Sequence, residues 1–367
     1  MNGHQLVLHK FPNISPSNFT LPFADAGLDS MDLLSLRVEL ENNFSQIISD
    51  ETWLNFNSLQ EICNYFSKDA DLNPNQIRDA EKYAMKKNFS INMPQMAIEA
   101  LSETWLWKEL GQLHWDLICK GLNQQSAQLS DEAGNRLYAT FARIRYSSEQ
   151  GLSDFKENEL LQLDAKLQRW GNNLYFSNCV GKSSAANFSV DMMTSFSIRN
   201  DADNTRLTKS QPAANVNNVE QMQQAPQLSE EFSLLKKNEL NDLQLSGHIF
   251  QPNSQIIFEK EYTIQPYTDI NGVGLLYFAA YPGINDFCEA HFMNTKMPKG
   301  VRYETKFSTA SRDVFFFANC NINDAIIYRL HHVSEINENL ILLQSSLSRK
   351  SDNFRMAHIF TIKKWHK

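Results

Sequence analysis

The chain contains no apolar run long enough to span a bilayer, and its first residues, with His4, His9 and Lys10 interspersed, lack the core of a signal peptide. It has no run of Lys and Arg and no basic stripe with interleaved aromatics, and its net charge is −8. Nucleic acid and membranes are therefore not expected as partners. Only five cysteines occur (Cys63, Cys119, Cys179, Cys288, Cys320), an odd number with no C-x-x-C pair. That excludes a disulfide framework and a zinc site and fits a reducing cytoplasm. Also missing are a nucleophile elbow, a phosphate-binding glycine loop and any metal-ligand spacing, so no metal is expected. What remains is ordinary: 42% hydrophobic and 21% charged residues over 367 positions, enough chain for two or three domains.

The first informative stretch is Gly27-Leu28-Asp29-Ser30-Met31. After Ser30, apolar residues recur at Leu33, Leu36, Leu40 and Phe44, with Met31, Leu34 and Val38 widening the stripe, which is helical spacing. Asp29, Asp32, Glu39 and Glu41 mark the exposed side as acidic, a face suited to basic partners. A serine at a helix start is either a simple N-cap or a place where a phosphodiester can meet free N–H groups and the positive end of the dipole. The loop from Phe23 to Ser30 resembles that of acyl carrier domains, and Trp53 to Phe66 resembles their last helices. The resemblance implies a covalent 4'-phosphopantetheine on Ser30, attached by a phosphopantetheinyl transferase. It also implies an opening helix, for which only Met1 to Phe11 is available, so that helix is expected to be short.

Residues 1–68 are read as the carrier, an all-α bundle, and 69–92 as a polar linker with Pro74 and a short helical pattern at Ile77–Lys86. As a flexible coil it would span about 25–30 Å. Residues 93–205 and 246–367 each show a long apolar helix followed by strand-like runs, an α+β pattern. The first has its helix at Leu101–Leu122 and strands at Arg136–Tyr146, Leu160–Trp170, Asn173–Cys179 and Asn187–Arg199. The second has a strand at Ile256–Pro266 and a helix near Gly283–Met293. Its further strands are Arg302–Ser308, Asp313–Asn321, Ala325–Val333, Asn339–Arg349 and Met356–Lys364. Between them, 206–245 reads as an irregular connection poor in large apolar residues.

The second informative stretch runs from Asp269-Ile270-Asn271-Gly272-Val273-Gly274 to Tyr281. It resembles the entry to the central helix of hot-dog folds, which include acyl-CoA thioesterases. Where those enzymes carry a carboxylate as nucleophile or base, this chain carries Asn271. An amide cannot take a proton at neutral pH, but it can orient a carbonyl or donate to an oxyanion. Asp269, two residues earlier, is the fallback base. Adding Met93-Pro94-Gln95-Met96, Leu110–Trp115 and Arg143-Ile144-Arg145, the region from Met93 to Lys367 resembles the double hot-dog acyltransferase/decarboxylase of leinamycin-type polyketide pathways. In that family a tyrosine acylated by methylmalonyl-CoA decarboxylates the acyl group and passes it to a carrier thiol.

The resemblance places that tyrosine near Tyr138 and implies an acyl-CoA substrate and polyketide or fatty-acid synthase components as partners. Two hot-dog units in one chain can satisfy their usual pairing internally, which leaves the oligomeric state open. Arg143 and Arg145 alternate on one strand face and are candidates for an anion or for a solvent-facing pair. His114 reads as structural or as a site residue, and His331 and His332 point to opposite strand faces. The expected chemistry is acyl transfer, with or without decarboxylation, by Asn271 and Tyr138 on a group carried by Ser30. Dehydration, isomerisation, thioester hydrolysis and a non-enzymatic docking role are the alternatives.

Overall fold

A computed structural model describes residues 2–44, 46–66, 83–199 and 203–366. The N-terminal bundle holds α1 (Gly3–Lys10), α2 (Ser30–Phe44), α3 (Asp50–Leu54) and α4 (Leu59–Tyr65). The short α1 is fixed by a capping box between Asn2 and Gln5 and buries Leu6 and Val7 against Leu36, Leu40, Leu59 and Ile62.

The larger domain is one antiparallel sheet with two helices on one face. Its strands are β1 (Ala84–Ser90), β4 (Tyr138–Ser147), β5 (Leu160–Trp170), β6 (Leu174–Lys182), β7 (Asn187–Arg199), β8 (Leu207–Lys209), β11 (Phe258–Thr263), β12 (Phe307–Phe316), β13 (Ala325–Asn337), β14 (Leu340–Arg349) and β15 (Arg355–Trp365). Two small hairpins stand apart, β2 (Met96–Ala97) with β3 (Ala100–Leu101) and β9 (Leu243–Leu245) with β10 (His248–Phe250). The sheet order is β1-β5-β6-β7-β4-β12-β15-β14-β13-β11, with β8 on β7.

Each five-strand half runs edge, third, fourth, fifth, second in chain order, so one plan occurs twice. The halves meet where Arg145 pairs with Asp313. Each second strand carries a bulge, at Ala142 in β4 and at Ala310 in β12, a device that re-aims a strand. A common register follows, in which Phe141, Ile144 and Thr194 of the first half stand where Thr309, Arg312 and Lys363 stand in the second.

Helix α5 (Glu103–Leu122) starts at Ser102, whose hydroxyl accepts from the Trp105 N–H, and ends at Asn123 in the left-handed region. It buries Leu106, Leu110, Leu113 and Leu117 on the sheet. Helix α8 (Tyr281–Met293), with Pro282 in its first turn, lies beside it. Short helix α7 (Pro266–Asp269) precedes the Asn271 turn, and α6 (Gln227–Lys236) packs Phe232 and Leu235 into the cluster on the other side of the sheet. Among the described residues no helix is long and apolar enough to cross a membrane.

Three sequence expectations change. Ala84–Ser90, placed in the linker and partly in its helical pattern, is a strand paired with β5; Lys86 and Lys87 hide its alternation, and 67–82 lie outside the described residues. The connection 206–245 holds a helix, α6, which buries Phe232 and Leu235 and leaves Leu234 exposed, too few apolar residues to show a stripe. Finally, Arg302–Ser308 and Asp313–Asn321 are not two strands. One strand, β12, passes through the bulge at Ala310, and its polar middle (Ser308, Thr309, Ser311, Arg312) looked like a break.

Candidate active site between the carrier and the sheet

Capping decides the standing of Ser30. The Asp29 carboxylate accepts from the N–H groups of Met31 (2.7 Å) and Asp32 (2.9 Å), and Asp32 accepts in return from the Asp29 N–H (2.9 Å). This reciprocal pair caps α2. Ser30 is therefore exposed, and among the described residues its hydroxyl makes no hydrogen bond. The reading of Ser30 as a plain N-cap does not hold.

The apolar stripe of α2 is wide because it serves two cores. Leu36 and Leu40 face the carrier interior, whereas Met31, Leu34 and Val38 join a cluster with Trp170, Leu174 and Phe176 of the sheet and Phe232 of α6. Val38 sits so close to Gly171 (φ +67°) that a Cβ there would lie 2.0 Å from it. Only glycine suits both that contact and that dihedral. The supposed exposed acidic side is largely engaged. Asp29 pairs with Lys236 (2.9 Å) and Asp32 with Lys237 (2.7 Å), while Glu41 is buried on Arg37 (3.0 Å). Reversing both lysine charges, Lys236→Glu with Lys237→Glu, is expected to lower the docked fraction by about tenfold. The sum is two lost pairs plus repulsion at up to about 1 kcal/mol each. A distance label across the interface, with rising salt reproducing the change in the unaltered protein, checks this.

Docked in this way, Ser30 and Met31 stand at the edge of a cavity of about 520 Å³. It reaches past the diverging ends of β4 and β12 to Asn271, Phe278 and Tyr281. The turn bearing Asn271 is tied from three sides. Asn204 donates to the Gly274 carbonyl (2.6 Å), Arg199 donates to the Val273 carbonyl, and Asn319 exchanges hydrogen bonds with Leu276. Gly274 needs its freedom, at φ +81°; Gly272 does not. Asn271 Oδ1 accepts from the N–H groups of Val273 and Leu275, both at 3.0 Å. That fixes the amide orientation and leaves Nδ2, which makes no hydrogen bond among the described residues, as a donor at the cavity wall.

Lys209 also lines the cavity, and sequence reading missed it because Leu207-Thr208-Lys209 is too short to register as a strand. Its ammonium donates to Ser195 Oγ and Thr140 Oγ1 (3.4 Å), and it has no carboxylate partner among the described residues. Burial, with Lys236 nearby, lowers its pKa to about 8. No aspartate, glutamate, histidine or cysteine is among the described lining residues. The cavity can thus donate to a carbonyl or an enolate oxygen, but it offers no described carboxylate base.

The other sequence candidates lie elsewhere. Tyr138 is outside the cavity, its ring beside the Arg136 guanidinium (5.2 Å); β4 contributes the next four residues instead. The tyrosine at the wall is Tyr281, which donates to the Ala318 carbonyl (3.3 Å) and is kept neutral by burial. Asp269 is buried and accepts from Tyr262, Gln265 and Thr268, so it anchors the loop and has no oxygen to spare as a base. Arg143 and Arg145 are neither solvent-facing nor open to a ligand: both clasp Asp313 and Glu231. His331 is buried, with partners Gln255 and Ser346, and His332 is exposed.

His114 is buried between Ser177 (2.6 Å) and Thr194 (2.8 Å), and burial pushes its pKa down to about 3. The unfolded chain takes up this proton below about pH 6.5, and the folded one does not. Its contribution is therefore complete above about pH 6.5 and is lost as pH falls towards 3, by roughly 2–3 kcal/mol at pH 4.5. Urea midpoints against pH should fall over that window and flatten in His114→Gln.

Residues 8–66 match the family model described as phosphopantetheine attachment site. The first domain is an acyl carrier domain. Acyl carrier proteins of Phytoplasma australiense and of Onion yellows phytoplasma (strain OY-M) are 46% and 48% identical to this chain over 44 residues. That is 12% of this chain, and it spans 58% of the length of those relatives. The sheet domain has the hot-dog thioesterase-like fold. The 12:0-ACP thioesterase from Umbellularia californica superposes with a TM-score of 0.50 at 8% identity, covering 77% of this chain and 95% of that one. An acyl-ACP thioesterase from Bacteroides thetaiotaomicron gives 0.50 at 11%, covering 78% and 100%. At such identities the likeness is one of fold alone.

Proposed function

We propose that the chain is a carrier fused to a double hot-dog enzyme that remodels an acyl group held on its own Ser30 arm. The acyl group comes from an acyl-CoA and is transferred to the arm thiol, with loss of carbon dioxide where it carries a carboxylate. The observation that supports this reading is the shared cavity: Ser30 and Asn271 line the same space. Asn271 Nδ2 would hold the thioester carbonyl, and Lys209 would place positive charge near an enolate oxygen. Decarboxylation needs such donors and no base. Tethering raises the local thioester concentration to roughly millimolar, so recognition of a free carrier is unnecessary. Polyketide or fatty-acid synthase components in the cytoplasm would supply and take up the product. The units would be 1–68 for the carrier and the two repeated halves for the enzyme.

Hydrolysis is the second reading, favoured by the fold shared with thioesterases; the absence of a carboxylate among the described lining residues counts against it. The test is intact-mass analysis of the arm-bearing protein incubated with a panel of acyl-, malonyl- and methylmalonyl-CoA. A decarboxylated acyl mass on the arm supports transfer. An arm that stays bare while free acid accumulates supports hydrolysis. An arm that gains no acyl group, with no free acid formed, leaves only a docking role and overturns the proposal.

A further inference from the structure

Helix α2 is the surface by which the carrier holds the sheet domain, and the contacts run along its length. At its start Asp29 and Asp32 meet Lys236 and Lys237 of α6. In its middle Met31, Leu34 and Val38 pack in one cluster with Trp170, Leu174, Phe176 and Phe232, and Val38 lies against Gly171. Near its end Asn42 accepts from the Gln221 amide (3.4 Å). Three apolar side chains buried together make the docked state the dominant one, the more so because the partner is on the same chain.

Ser30 heads that helix. Met31, Asp32, Leu34 and Val38, which follow it, are all buried, and the exposed surface beside it is the preceding loop with Ala24, Asp25 and Gly27. Ser30 shares the rim of the cavity of about 520 Å³ with Phe232 and Lys236. That volume suits an arm. It does not admit the donor of an arm together with the protein that presents it. A protein partner needs roughly 800 Å² of surface on each side, and around Ser30 the helix half of such a footprint is already covered.

We propose, resting on the assignment of the arm to Ser30, that the sheet domain and the phosphopantetheinyl transferase compete for one face of α2, so that the arm is attached only while the carrier is released. In that step the Ser30 oxygen bonds the pantetheine-side phosphorus of coenzyme A and the diphosphate P–O bond breaks. Adenosine 3',5'-bisphosphate leaves, and the hydroxyl proton passes to a base of the transferase. The rate scales with the released fraction. The docked contact is one that the chain can give up. Lys236 and Lys237 stand partly in water, where salt weakens their pairs. The Trp170 indole N–H is buried with no hydrogen bond in the described structure, a cost that release removes. The arm thus comes first, and the shared cavity receives it afterwards.

The test is the initial rate of mass gain by the full chain, before it bears an arm, with a phosphopantetheinyl transferase and coenzyme A. Gly171→Asn puts a Cβ 2.0 Å from Val38 Cγ2 and keeps the turn between β5 and β6, because asparagine tolerates the left-handed region. Lys236→Glu with Lys237→Glu removes the ion pairs. Both changes lie outside the carrier, so the transferase meets an unaltered surface. Each should raise the rate by about tenfold or more, with the thermal transition of the sheet domain kept. If Gly171→Asn loses that transition, the lysine pair decides alone. Rates within twofold of the wild type leave Ser30 the acceptor and overturn the competition. A faster rate in the charge reversal only, with Gly171→Asn folded and at the wild-type rate, overturns it too, because charge alone would then be at work. Mass gain in none of the three proteins overturns the assignment of Ser30 and the competition with it.

Discussion

Ser30→Ala protein is expected to gain no mass with a phosphopantetheinyl transferase and coenzyme A, and to show no turnover of acyl-CoA onto an arm. On the proposed reading the loss is complete, because the Ser30 hydroxyl oxygen would itself be the atom that bonds the phosphate. The same change should leave stability within about 0.5 kcal/mol, as for other exposed positions free of special roles. That contrast carries the argument. Had Ser30 been the cap of α2, alanine would have cost about 1 kcal/mol. Here Asp29 and Asp32 hold the helix start, so Asp29→Ala should lower the thermal midpoint while Ser30→Ala should not. Arm attachment in Ser30→Ala, seen as an intact-mass increase, would show that another residue is the acceptor.

Asn271→Asp should lower transfer onto the arm by about 100-fold or more, the scale of losing one donor to a developing oxyanion. The substitution separates two roles. A carboxylate still accepts from the Val273 and Leu275 N–H groups, so the turn survives. What disappears is the Nδ2 donor, and a negative oxygen takes its place beside the carbonyl. Hydrolysis of the loaded group should rise, because the cavity gains the base it lacks among its described residues. Asn271→Ala, by contrast, removes the acceptor as well and should lower both stability and turnover. Transfer at the wild-type rate in Asn271→Asp would remove Asn271 from the mechanism. The readouts are single-turnover rates by intact mass and the thermal midpoint of each variant.

The legible parts of this chain were those where one local signal has one cause. The strand Leu160–Trp170 and the helix ending at Leu122 fall where periodicity places them, because each has one mainly buried face; Asn187–Arg199 is also a strand as expected, although Met192 to Ser197 are buried on both faces. The helix start at Ser30 was legible from its flanking residues. The stripe of α2 misled, because Met31, Leu34 and Val38 answer to another domain, and a one-dimensional pattern does not separate two cores. Arg143 and Arg145 look available in sequence; their partners Glu231 and Asp313 are 86 to 170 residues away. Lys209 had no signal at all, since its importance lies in standing beside Ser30 and Asn271 in space. Tyr138 followed a resemblance along a strand where a slip of a few residues moves a side chain out of the cavity.

The seam between the two halves has one more consequence. Arg145 and Asp313, the residues paired across it, also join in an ion pair at 2.7 Å. Were the halves separate molecules, that seam would obey mass action, and dilution would part them. In a single chain the partner is always at hand. The seam therefore costs a loop closure, which grows only slowly with the length of the connection, and the pairing of β4 with β12 has no concentration term.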